Sequence, residues 1–228
     1  MRKTWVAAAA VLLFSACCFG QERPSWEAYI GYQWTYSDYG PIQDVATAIA
    51  SPYNQTISVD HKFPMTGANL TLQKNFGEKW SAAIDIGGMY TQQSVDLSQY
   101  FQLLGYIPAG STQLSTFTPT VYTLTFGPQR VVWKNGHTSV FVRGMGGALR
   151  SQLSMDTTTR QALNFLAPTF KSSTTDPAVM VGGGAQYHLL KHLFLRASGD
   201  YIHAFSHSTQ NYIRVSAGIA IDKLGKPY

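Results

Sequence analysis

Two groups of residues in this 228-residue sequence could carry chemistry: six charged side chains, Glu27, Asp85, Arg143, Arg196, Asp200 and Arg214, and a Ser/His cluster at His203, Ser206, His207 and Ser208. A His next to a Ser can activate a hydroxyl for hydrolysis when a carboxylate orients the imidazole. That third partner is missing here, because the acidic residue of the following segment, Asp222, falls at its far end. His203 and His207 are four apart, a spacing that brings two ligands to one face of a helix but not of a strand. Gly182–Gly184 lie inside an extended apolar segment, where glycine admits curvature or close approach and makes no phosphate loop. No catalytic, cofactor-binding or metal-ligating residue is therefore assigned, and the six separated charges become the candidate site.

The elements that must hold those charges show most clearly in Ala178–Asp222. Its odd positions, Val179, Val181, Ala185, Tyr187, Leu193, Leu195, Ala197, Tyr201, Ile213, Val215, Ala217, Ile219 and Ile221, form one apolar face. The even positions hold Gln186, His188, Arg196, Ser198, Asp200, Arg214, Ser216 and several glycines. Period-two alternation of this kind marks strands with two chemically different faces. Five earlier segments read alike, at about 26–36, 66–76, 80–91, 118–133 and 137–149. Short turns at Gly77-Glu78-Lys79, Lys134-Asn135-Gly136 and Leu190-Lys191 alternate with long polar segments at 37–65, 92–117 and 150–177. Within the second of these, LSQYFQLLGY is amphipathic and fits either a helical turn or an extended piece.

Residues 1–20 carry Arg2 and Lys3, an apolar run from Trp5 to Phe14, then small residues, the pattern of a secretory signal peptide. The run is too short for a spanning helix. Cleavage after Gly20 leaves residues 21–228 as one domain. Acylation at Cys17 or Cys18 is disfavoured, because Phe14-Ser15-Ala16 lacks the usual Leu. Both cysteines of the chain fall in this segment, so the exported chain has no disulfide and no thiol ligand for zinc. Formal charge drops from +5 to +3 once Arg2 and Lys3 leave, too little and too dispersed for a nucleic-acid partner.

Export, strands of ten or more residues, and short turns alternating with long loops together predict an all-β fold, an eight-stranded antiparallel up-and-down transmembrane β-barrel. Mean hydropathy near zero suits it, because only alternate residues meet lipid. The only charges on the apolar faces, Lys74 and Arg130, sit beside short turns, and aromatics gather at both ends of the strands, as two interfacial girdles require. The interior of eight strands is just wide enough for side chains. Counted from the short turns, Asp85 and Arg143 fall at similar depth, Asp200 and Arg214 match on neighbouring strands, and Arg196 lies low enough to meet Glu27. These charges are expected to pair as a plug, since a broken buried pair costs about 3–5 kcal/mol.

The segments YTLTFGPQRVVWKNGHTSVFVRGMGGA, VMVGGGAQYHLLKHLFLRASGDYI and NYIRVSAGIAI resemble the OmpA-like outer-membrane β-barrel family, especially single-domain forms of Gram-negative soil bacteria. The resemblance is good over the second half and by pattern over the first. It implies the Gram-negative outer membrane, with lipid and lipopolysaccharide as surroundings, and says little of activity; the narrow lumen with its paired charges is what points to a mainly structural or narrow-channel role. Two departures stand out: no peptidoglycan-binding domain follows the last strand, and the chain runs on through KLGKPY, so that Tyr228 or an internal stretch serves as assembly signal. Surface recognition as adhesin or receptor through 37–65, 92–117 and 150–177 is the alternative, and an outer-membrane lipid hydrolase ranks below it. A monomer, with no enzymatic activity and no cofactor, is expected.

Overall fold

The computed structural model describes residues 26–50, 60–76, 78–96, 98, 102, 105, 108–112, 114–166, 172–190, 192–206 and 210–222. The expected signal peptide at 1–20, the terminal Tyr228, His207, Ser208 and most of LSQYFQLLGY lie outside them.

Among the described residues, nine strands form one antiparallel sheet: β1 (Trp26–Tyr39), β2 (Lys62–Phe76), β3 (Trp80–Tyr90), β4 (Gln93–Asp96), β5 (Leu114–Asn135), β6 (Thr138–Met155), β7 (Ser173–Leu190), β8 (Leu193–Ala204) and β9 (Gln210–Asp222). Eight of them close into a ring. β1 pairs with β9, with Glu27 opposite Asp222, and β3 pairs with β5, with Asp85 opposite Thr125. The ninth, β4, is a four-residue addition that pairs with the outer end of β5. A closed ring leaves no edge to seek a partner strand, the condition for a sheet in lipid. The β5–β6 hairpin turns at Gly136, whose φ of 48° is the left-handed conformation that a tight hairpin needs and glycine adopts without strain.

The two faces separate as the alternation requires. Val181, Leu195 and Ile219 are 56%, 47% and 45% exposed on the outside, whereas Arg196 and Arg214 are 2% and 0% exposed within. A soluble barrel would show the reverse. Ile30, Leu70, Ile84, Ile86, Leu124 and Phe126 continue the outer apolar band. Trp26, Trp80, Trp133 and Tyr187 border it near the short turns, and Tyr36, Tyr90, Tyr122 and Tyr201 near the other end.

The described residues of 37–65, 92–117 and 150–177 hold more regular structure than their polar composition suggests. β1 runs on to Tyr39, α1 (Gly40–Ala50) follows, and β2 begins at Lys62. β5 starts at Leu114, β6 ends at Met155, α2 (Thr157–Leu166) follows, and β7 starts at Ser173. The reason lies on the inward face: Tyr39, Phe63, Met65, Phe117, Leu149 and Leu153 keep the period-two apolar pattern going and bury it. Thr116, Thr118, Thr120 and Ser154, which resemble loop composition, occupy the other face of the same strands, while Ser37, Ser115 and Ser151 are buried beside the apolar set.

Candidate functional site

The lumen is filled in tiers. The lowest, next to the short turns, centres on Glu27, which accepts hydrogen bonds from Gln73 Nε2 (3.0 Å), from Arg196 Nη1 (3.2 Å) and from Gln186. Arg196 also donates to Gln129 Oε1 (2.8 Å) and Gln73 Oε1 (3.2 Å). Its guanidinium lies 4.2 Å from the Phe141 ring centroid and 5.2 Å from that of Tyr29. A fully enclosed guanidinium thus has a carboxylate, two amides and two ring faces in place of water.

The middle tier is a four-residue ion cluster. Asp200 accepts from Arg143 Nε (2.8 Å) and Nη2 (2.7 Å), and from Arg214 Nε (3.1 Å) and Nη2 (3.0 Å). Asp85, across the lumen, accepts from Arg214 Nη1 (2.8 Å) and Thr71 Oγ1 (2.8 Å), and has Arg143 Nη1 at 3.7 Å. Two arginines and two aspartates therefore balance in a sealed volume, with Arg214 bridging both carboxylates. Backbone geometry permits this arrangement at Gly182, which stands between Arg143 on β6 and Asp200 on β8 in the ladder. A Cβ there would collide with Asp200 Oδ1 and the Gly199 carbonyl. Only glycine lets the two side chains close over it.

Above the ions the lumen turns apolar. Met180, whose sulfur accepts from Arg214 Nη2 at 3.1 Å, begins a layer with Met89, Val121, Met145, Leu149, Ile202 and Tyr212. Tyr39, Phe63 and Phe117 lie in the same core, and Ile42 and Val45 of α1 pack into it. Alternation alone predicts an inward face that is polar throughout; in the structure charge is confined to the two lower tiers, and above them apolar side chains dominate, with Ser37, Ser115, Ser151 and Gln210 buried among them. Phe141, Tyr29 and the glutamines at 73, 129 and 186 join the site without any charge pattern to mark them in sequence. Their inward parity is the available signal.

The Ser/His cluster does not assemble a catalytic group among the described residues. His203 Nδ1 bonds Asn211 Oδ1 (2.7 Å), to which Tyr201 also donates (2.9 Å), on the outside of the barrel. Asp222 is at the opposite end, 2.7 Å from His192 Nδ1. No group of three or more His, Cys, Asp or Glu is placed to hold a metal ion among the described residues.

A closed antiparallel barrel with a girdled apolar exterior and charges sealed inside defines an integral outer-membrane protein. The chain belongs to the outer membrane protein beta-barrel domain family, whose profile matches residues 6–220, and its place is the Gram-negative outer membrane. No curated protein matches it in sequence. Among solved structures it is similar in fold to Neisserial surface protein A (TM-score 0.55, 10% identity, 88% of this chain and 99% of that one). It is likewise similar to the attachment invasion locus protein Ail of Yersinia pestis, solved with the heparin analogue sucrose octasulfate (TM-score 0.52, 14% identity, 89% and 100%).

Proposed function

We propose that the protein is a sealed, mainly structural barrel, monomeric in the membrane, that neither catalyses a reaction nor lets solutes diffuse through it. The observation that carries this reading is the succession of buried tiers among the described residues of the lumen: the amide and Glu27–Arg196 tier, the four-ion cluster, then an apolar layer with α1 packed into it. An ion crossing the barrel would have to separate Asp200 from both of its arginines and then traverse Met, Val, Leu and Ile side chains without water. Purified folded protein in a planar bilayer should show no steady conductance steps, with heat-modifiable mobility on a semi-native gel confirming the fold. Reproducible steps from folded protein would make it a narrow channel instead. Residues 1–20 are taken as the export signal; N-terminal sequencing of the membrane form should begin at Gln21.

Surface recognition is the second reading, favoured by the projection of β4–β7. A membrane-spanning strand needs about 9–11 residues, while β5 has 22 and β6 and β7 have 18 each. Their excess, with α2, stands on the long-loop side. Replacing 156–172 with a tight turn should leave the barrel folded; loss of surface binding in that variant would establish recognition, and unchanged binding would end it.

A further inference from the structure

The short-turn edge of β1, β2, β3 and β5 carries a cluster that the sealed lumen does not use. In the ladder Trp26 is opposite Lys74, Lys74 opposite Ala82, and Ala82 opposite Pro128. One step nearer the edge, Phe76 is opposite Trp80 and Trp80 opposite Arg130. All of these side chains point outward. Lys74 Nζ lies 5.5 Å from the Trp26 ring centroid and 5.9 Å from that of Phe76, and Arg130 Cζ lies 5.2 Å from that of Trp80. The rings steady the two cations without neutralising them. Neither Lys74 nor Arg130 has an ion-pair partner among the described residues.

Their strands flank β3, two strand spacings or about 10 Å across, and Arg130 stands two residues nearer the edge. The two backbone positions are thus about 12 Å apart, a gap that a long lysine and a long arginine side chain can bridge onto one anion. Between them the girdle dips to Ala82 and Pro128, both exposed, and the apolar surface continues beyond at Ile84 and Phe126. Lys79 and Lys134 in the adjoining turns add positive charge against the single carboxylate of Glu78. A cationic pair over a low apolar floor, at the level where hydrocarbon meets headgroups, matches a phosphodiester with its acyl chain. Because short turns face the periplasm, the lipid at this level belongs to the inner leaflet, which is phospholipid; lipopolysaccharide lies at the other end.

We propose that Lys74 and Arg130 form a binding site for an anionic phospholipid, with the phosphate between the two cations and an acyl chain along Ala82, Pro128, Ile84 and Phe126. The test is native mass spectrometry of the full exported chain, folded in detergent and equilibrated with phosphatidylglycerol or with phosphatidylcholine of matched chains. The wild type should retain phosphatidylglycerol in preference. Lys74→Gln and Arg130→Gln should each weaken retention about five-fold, and the double variant should lose the preference. Lys62→Gln, at the opposite rim, should leave it intact. Equal retention of the two lipids by the wild type would overturn the site without recourse to any variant. So would an unchanged preference in the double variant, its fold verified by gel mobility.

Discussion

At the residue scale, Arg214 is the side chain on which the interior depends most. It bonds Asp85 and Asp200 together, whereas Arg143 is bidentate to Asp200 and only approaches Asp85. Removing either arginine leaves buried carboxylate charge uncompensated, a loss of about 3–5 kcal/mol where a buried pair is broken. Arg214→Met is therefore expected to lower the temperature at which the folded gel band disappears, and by more than Arg143→Met; an unchanged temperature for both would contradict the plug. Gly182→Ala should act on the same pair by displacing Asp200, so that combined with Arg143→Met it adds less than the sum of the two. A double-mutant cycle on the gel transition checks this. The inward parity of Asp200 and Arg214 is legible from the alternation, and counting residues from the short-turn end of each strand brings them to one level, as the β8–β9 ladder has them. The reach of Arg214 to Asp85 is not, since it spans the lumen from β9 to β3 and depends on how the ring curves. The ring faces of Phe141 and Tyr29 beneath Arg196 are hidden in the sequence for a different reason: an isolated aromatic on an inward face carries no charge pattern to flag it.

At the element scale, strands inside the membrane are legible to within a few residues, because lipid on one side and a filled lumen on the other enforce alternation. Beyond the membrane that constraint relaxes. The outward side chains of β5 and β6 become Thr116, Thr118, Thr120, Gln152 and Ser154, and such runs look like loops unless the inward Phe117, Val121, Leu149 and Leu153 are weighed separately. Helix α1 is masked by the Gly40-Pro41 pair that opens it. A Gly-Pro pair reads as a breaker, yet proline is tolerated in the first helical turn. Among its described side chains Ile42, Val45 and Ala46 are buried, and Ile42 and Val45 join the lumen core. Val45→Asp should cost at least about 2 kcal/mol, the burial of one Val side chain. It is expected to appear as a lower urea midpoint and as new protease cleavage within 40–50, with the strands still protected. Cleavage spread evenly along the chain would mean that the barrel itself had failed.

At the scale of the whole molecule, one physical arrangement accounts for the architecture and for the proposed role: hydrocarbon solvates every second side chain of eight strands, and the alternate set fills the space within. The ends differ because their surroundings do. Short turns, Lys74, Arg130 and the Trp-rich girdle share one end, and projecting strands with two helices share the other; in barrels of this kind the short turns face the periplasm and the long loops the outside. The most direct measurement is spin-label accessibility in proteoliposomes, using Leu195→Cys and Ser198→Cys singly in the exported chain, from which Cys17 and Cys18 are absent if residues 1–20 are removed. The label at 195 should collide readily with dissolved oxygen and be shielded from a water-soluble nickel complex, while the label at 198 is shielded from both. Nickel access at 195 with oxygen access at 198 would mean that the two faces are the other way round.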